Sequence, residues 1–303
     1  MKMIRGVLPA MVTPFDEREQ PDEARARNVA RFLKEQGVAG LYLTGSTGEG
    51  FVQSPEERKA FVEIVADELK GELPFIVHVG AIGTKISIDL ARHAEKAGAA
   101  AVSSVPPFYW KFGEANIIKY YTELAGSVGI PTIIYNIALA GVMNFDTILK
   151  LTRIPGVEGI KYTAPTQFEM MRLRQETDEG FEIFSGSDEM AMSGLSFGAD
   201  GIIGTFYNVM PDLFTELYRA WEQKDLLKMQ AKQKLANEII MTTLKHDMIP
   251  TVKMMMRWMG VDAGIARSPF TRYTEAEEAA IREEYKAFKD RPGADAVQFL
   301  RKV

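Results

Sequence analysis

Lys161 is the residue whose placement most clearly points to chemistry. Most of the 36 basic residues must be solvated surface, but Lys161 interrupts the run Val157-Glu158-Gly159-Ile160-Lys161-Tyr162-Thr163, which otherwise reads as a strand. A lysine is almost never fully buried unless it is paired. Burial disfavours the charged form of an amine. A neutral amine attacks a ketone to form a Schiff base, and the imine is an electron sink for carbon–carbon cleavage. The same position also suits an ion pair with an acid, a purely structural role. Tyr135 closes the run Thr132-Ile133-Ile134-Tyr135-Asn136-Ile137. Its phenol can donate and accept a proton, which imine formation and breakdown both require; a ring packed in a barrel mouth is the plainer reading. Gly45-Ser46-Thr47-Gly48-Glu49-Gly50 is a tight-turn sequence that brings backbone N–H groups close to a ligand. Its hydroxyls suit a carboxylate or a proton relay. It is not a phosphate loop, because the Gly-Lys-Ser/Thr ending is absent and Glu49 would repel phosphate. Asp188 and Glu189 form an acid pair, readable as first-turn charge at a helix N-terminus or as acceptors for hydroxyl groups.

Composition narrows the classes. The chain has 303 residues, 46% hydrophobic and 25% charged, the balance of an ordinary globular protein. A net charge of −5 disfavours a nucleic-acid binder. With no cysteine there is no disulfide framework, thiolate metal site or cysteine nucleophile. The three histidines, His78, His93 and His246, lack metal-ligand spacing, so no metal site is expected. No signal peptide and no run long enough to span a membrane is read, and a cytoplasmic chain is expected.

These residues need a scaffold that brings them together, and the hydrophobic pattern supplies one. Eight β-rich runs occur at 6–12, 40–44, 75–80, 100–106, 132–137, 159–163, 181–186 and 201–205. Most are continuously apolar, as in a parallel sheet covered on both faces. The intervening segments have helical composition. One of them carries Ser54 as cap, Pro55 at the first helical position and Glu57 three residues after the cap. Eight successive units predict an α/β fold, a (β/α)8 TIM barrel with additional C-terminal helices. The competing doubly wound sheet lacks its glycine fingerprint after the first strand. The barrel is assigned to residues 1–223. Residues 224–303 are read as a helical extension of the same unit, whose Met254, Met255, Met256 and Met259 pack within the subunit. Barrel active sites lie at the C-terminal ends of the strands. That end collects Thr44 to Gly50, Tyr109, Tyr135, Asn136, Lys161 to Thr163, Ser187 to Glu189 and Thr205 as candidates.

The motifs Gly45-Ser46-Thr47-Gly48-Glu49, Tyr135-Asn136, Gly159-Ile160-Lys161, Gly186-Ser187-Asp188-Glu189 and Ala199-Asp200-Gly201-Ile202-Ile203-Gly204 stand in the order of the dihydrodipicolinate synthase / N-acetylneuraminate lyase superfamily, which the chain resembles over essentially its whole length. The segments 43–54, 101–110 and 186–189 resemble the branch that acts on sialic acids. The resemblance implies a cofactor-free class I aldolase, a homotetramer, that cleaves N-acetylneuraminate reversibly to N-acetylmannosamine and pyruvate. Carried over by position, Lys161 forms the imine with pyruvate and Tyr135 transfers protons. Ser46 and Thr47 hold the pyruvate carboxylate. Thr163, Gly186, Asp188, Glu189 and Thr205 meet the substrate, and Tyr109 is lent to a neighbouring subunit's relay. The synthase branch places an arginine soon after the Tyr-Asn pair, whereas here no basic residue follows Tyr135 before Lys150. Other readings are a different aldolase or dehydratase for 2-keto-3-deoxy sugar acids, and a catalytically silent sugar-acid binder. Two departures stand out: Ala138-Leu139-Ala140-Gly141 is one residue short of the family's usual loop and lacks its proline, and Ser187 is smaller than the aromatic often found there.

Overall fold

The computed structural model describes residues 4–303. Strands β1 (Gly6–Pro9), β2 (Leu41–Leu43), β3 (Phe75–His78), β4 (Ala101–Ser104), β5 (Thr132–Ile137), β6 (Val157–Thr163), β7 (Glu182–Ser185) and β8 (Gly201–Gly204) alternate with helices. The helices are α1 (Glu23–Glu35), α2 (Pro55–Leu69), α3 (Thr84–Lys96), α4 (Glu114–Ala125), α5 (Phe145–Leu151), α6 (Phe168–Glu176), α7 (Ala191–Ser196) and α8 (Pro211–Glu222). Three more follow: α9 (Leu226–Thr243), α10 (Met248–Trp258) and α11 (Glu275–Lys286).

The sheet order is β1-β8-β7-β6-β5-β4-β3-β2, and each named pairing is parallel. The ends meet: Ala10 bridges Tyr42 in parallel, and the Met11 N–H donates to the Tyr42 carbonyl at 2.9 Å. The sheet is therefore a (β/α)8 barrel rather than an open doubly wound sheet.

Side chains alternate across each strand, which makes two apolar layers. Leu8, Ile76, Ile133, Phe184 and Ile203 fill the barrel. A larger cluster lies between strands and helices and continues into α9, α10 and α11. Met254, Met255, Met256 and Met259 are buried in that outer cluster, within the subunit. Local signals set the helix ends. The Ser54 hydroxyl accepts from the Glu57 N–H at 3.2 Å and the Glu57 carboxylate accepts from the Ser54 N–H at 2.8 Å, so the capping box forms as the sequence predicts. Asp22 caps α1 by accepting from the Arg25 N–H at 3.0 Å. Among the described residues no helix is long and apolar enough to cross a membrane.

Candidate active site

Period-two alternation turns Ile133, Tyr135 and Ile137 of β5 into the barrel, and on β6 it does the same for Lys161. Tyr135 and Lys161 are direct register partners on adjacent strands. Lys161 is 4% exposed. Its Nζ lies 4.2 Å from the Tyr135 ring centroid and 4.4 Å from that of Tyr42 on β2. Among the described residues no carboxylate pairs with it, so the structural ion pair left open by the sequence does not form. The faces of two aromatic rings lie over Nζ instead. Such an environment stabilises the cationic iminium formed when a lysine condenses with a ketone. Behind these rings, His78 is fully buried with its ring centroid 5.9 Å from that of Tyr135. Its Nδ1 lies 3.2 Å from the Thr44 carbonyl, and the Val105 N–H donates to Nε2 at 3.4 Å. One neutral tautomer, protonated on Nδ1, satisfies both. Burial, with Arg58 and Lys161 nearby, holds the His78 imidazole neutral by pushing its pKa well below the usual range.

The turn after β2 is fixed in an unusual conformation. The Gly50 N–H donates to the Gly45 carbonyl and the Glu49 N–H to the Ser46 carbonyl, both at 3.0 Å. The left-handed backbone falls on Thr44 and Glu49, each with φ 55°, rather than on the glycines. Gly50 is needed for a different reason: a Cβ there would lie 2.1 Å from the Thr44 carbonyl oxygen. Glu49 does not face the cavity as a free charge, as the sequence suggested. Its Oε1 lies 2.5 Å from Lys253 Nζ on α10, and its Oε2 accepts from the Arg267 N–H at 2.7 Å. Burial pushes the Glu49 carboxyl up and pulls the Lys253 amine down to about 8, while the attraction between the two opposes both shifts.

Gly186 brings the end of β7 against the lysine. A Cβ at 186 would lie 1.8 Å from Thr163 Oγ1 and 3.0 Å from Lys161 Cε. Thr163 Oγ1 is buried and makes no hydrogen bond among the described residues, leaving it available to a ligand. Thr47 and Thr205 share a hydroxyl–hydroxyl bond of 2.7 Å across the barrel mouth. Ser46, Thr47, Tyr135, Lys161, Thr163, Gly186 and Thr205 all line one cavity of about 530 Å³. Three of the residues to which the resemblance gives a role are not among its lining residues. Tyr109 is 81% exposed on the β4–α4 loop, edge-to-face with Trp110 at 4.8 Å. Glu189 is solvent-exposed, and its carbonyl accepts from Asn237 Nδ2 at 3.1 Å. Asp188 is buried, with Oδ2 accepting the Phe206 N–H at 2.7 Å, and its Oδ1 occupies the place of a Gly204 Cβ. Asp188 thus holds the turn that presents Thr205.

Asp188 makes a testable link to pH. Burial raises its carboxyl to about 7, against the pull of the Phe206 N–H and with a further push from Glu189. A raised carboxyl binds its proton more tightly in the folded chain. Its contribution to stability is fully present below the unfolded pKa near 4 and is lost as pH rises through about 7. Asp188→Asn keeps an acceptor for Phe206 and removes the titration. Melting temperature should therefore fall less in the variant than in the parent between about pH 5 and about pH 8. Parallel curves would exclude this role.

Other lining residues carry no sequence signal of their own. Phe51, Val105, Phe108, Ile137, Leu139 and Phe270 are apolar and read as ordinary core or surface. Tyr42 could have been found, because it lies two residues before Thr44 on an inward-facing strand position. The loop after β5 makes a 3-10 turn at Ala138–Ala140 and reverses at Gly141, φ 88°. Asn136 Oδ1 accepts the Met143 N–H at 2.9 Å and ties the loop's far end back to β5.

Residues 3–288 match the dihydrodipicolinate synthetase family. An N-acetylneuraminate lyase of Rhizobium meliloti is 34% identical over 281 residues, covering 92% of this chain and 94% of the relative. N-acetylneuraminate lyase 2 of Escherichia coli O6:H1 is 38% identical over 275 residues, covering 89% of this chain and 90% of the relative. The structure of the Ruminococcus gnavus sialic acid aldolase superposes with a TM-score of 0.89 at 29% identity, covering 92% of this chain and 95% of that one.

Proposed function

The chain belongs to the dihydrodipicolinate synthetase family, and we propose that it is a class I aldolase that cleaves N-acetylneuraminate reversibly to N-acetylmannosamine and pyruvate. The observation that carries this reading is the buried, acid-free Lys161 beside Tyr135 in a cavity that also holds Ser46 and Thr47.

The Lys161 amine attacks the keto carbon of the open-chain sugar acid, and loss of water gives an iminium. Ser46 and Thr47 hold the adjacent carboxylate through hydroxyl and backbone N–H groups. Tyr135 takes the proton from the hydroxyl on the carbon that becomes the aldehyde. The neighbouring carbon–carbon bond breaks, and its electron pair moves to the iminium nitrogen as an enamine. Proton return to the enamine carbon gives the pyruvate imine, and water releases pyruvate and restores the amine. The covalent imine takes the place of a cofactor. Thr163 and Thr205 offer hydroxyls to the sugar, Gly186 offers backbone contacts, Glu189 serves its hydroxyl chain from the rim, and Asp188 acts through the turn that presents Thr205. Assembly as a homotetramer in the cytoplasm belongs to the same proposal. Tyr109, Trp110 and Leu139, 81%, 61% and 78% exposed, form the kind of apolar patch that a neighbouring subunit covers. There Tyr109 would enter that subunit's proton relay.

The synthase reading is disfavoured by the absence of a basic residue between Tyr135 and Lys150. The test is pyruvate release from N-acetylneuraminate, with borohydride reduction in the presence of pyruvate. The expected result is release together with a stable adduct on Lys161. No adduct, or one on another lysine, overturns the reading.

A further inference from the structure

Lys253 lies on α10, outside the eight βα units, yet it reaches the turn that carries Ser46 and Thr47. Its side chain is 1% exposed, and its Nζ forms an ion pair with Glu49 Oε1 at 2.5 Å and donates to the Thr13 and Ile265 carbonyls, both at 2.6 Å. Its Nζ also lies 4.8 Å from the Phe15 ring centroid. Glu49 holds the other side of the contact. It lines the cavity, its own backbone is left-handed, and its N–H closes the turn on the Ser46 carbonyl at 3.0 Å. Its second oxygen is taken by the Arg267 N–H. The Gly48 carbonyl between Thr47 and Glu49 is held in turn by Thr13 Oγ1 and Gln53 Nε2, both at 2.7 Å. The strained residue of the turn is thus fixed by a buried ion pair to a remote helix.

We propose that Lys253 is a positioning residue for the reaction: through Glu49 it holds the 45–50 turn in the geometry in which Ser46 and Thr47 receive the pyruvate carboxylate. A non-glycine residue in left-handed backbone persists only where its surroundings over-determine it. With Lys253 gone, Glu49 is left buried and unpaired, and relaxing it moves the N–H and hydroxyl groups on either side of Gly48. Lys161 is on β6 and does not share these contacts. The defect therefore appears in pyruvate capture more than in the bond-forming step. This inference rests on the assignment of Ser46 and Thr47 to the carboxylate.

The test is borohydride trapping across a pyruvate titration, with melting temperatures, for Lys253→Met, Glu49→Gln and the double variant. Each single variant should raise the half-saturating pyruvate concentration about tenfold or more and change the saturating trapping rate by less than about threefold. Each should also melt lower, because it leaves one buried partner uncompensated. The double variant removes both charges. Its melting temperature should recover relative to the singles while its pyruvate saturation stays weak. If pyruvate saturation recovers together with the melting temperature, or never changes, the pair serves the fold alone and the proposal fails. Where a single variant does not fold, the double variant decides in the same way. Absence of any trapping in the unaltered protein would instead reject the aldolase reading beneath it.

Discussion

Lys161→Ala is expected to retain less than about one part in a thousand of the pyruvate-releasing activity, because the covalent route is gone. The substitution is clean for a structural reason. Lys161 has no carboxylate partner among the described residues, so shortening it strands no buried charge. Its loss opens space between Tyr42 and Tyr135, whose rings remain 6.0 Å apart and edge-to-face. Folding should persist and the circular dichroism spectrum should be unchanged, with a modest drop in melting temperature. Activity within about tenfold of the parent would show that another group carries the imine.

Tyr135→Phe is expected to lower kcat by roughly a hundredfold to ten-thousandfold, the usual range for a positioned acid–base group. The ring contacts are kept: the phenyl still lies over Lys161 and still meets His78 edge-on. Only the hydroxyl is removed. Proton transfer serves both imine formation and cleavage, so the rate of borohydride trapping should fall along with sugar turnover. A variant with normal trapping but slow cleavage would confine Tyr135 to the bond-breaking step. A variant unchanged in both would reduce it to a packed ring beside the lysine.

The lysine and the tyrosine were legible because each is a polar break in an apolar run, and runs of that kind become barrel strands whose C-terminal ends converge. The capping box at Ser54 was legible for local reasons too. The orientation of Asp188 was not. An acid at the start of a helical turn reads the same whether it faces a substrate or its own backbone, and the choice depends on the Phe206 N–H, brought close by β8. Glu49 was misjudged for a similar reason. In sequence it is a bare negative charge in a glycine-rich turn. In the fold it is half of an ion pair whose other half comes from α10. The apolar cavity wall was silent because Phe51 and Phe270 have the composition of any packed surface. Nothing local distinguishes them until α10 and the segment after it close over the mouth.

Tyr135 and Lys161 owe their separation to ladder pairing between β5 and β6, whereas the groups above them belong to connecting segments. Parallel-strand spacing is the least adjustable length in the molecule, and a connecting segment is the most adjustable. Descendants of this chain could therefore lose or gain residues in the Ala138–Gly141 segment and drift toward new aldehydes while inheriting the spacing of Tyr135 and Lys161 intact. For a designer the same division of labour marks out territory. Libraries belong in the segments after β4, β5 and β7, and the ladder beneath them should be left alone.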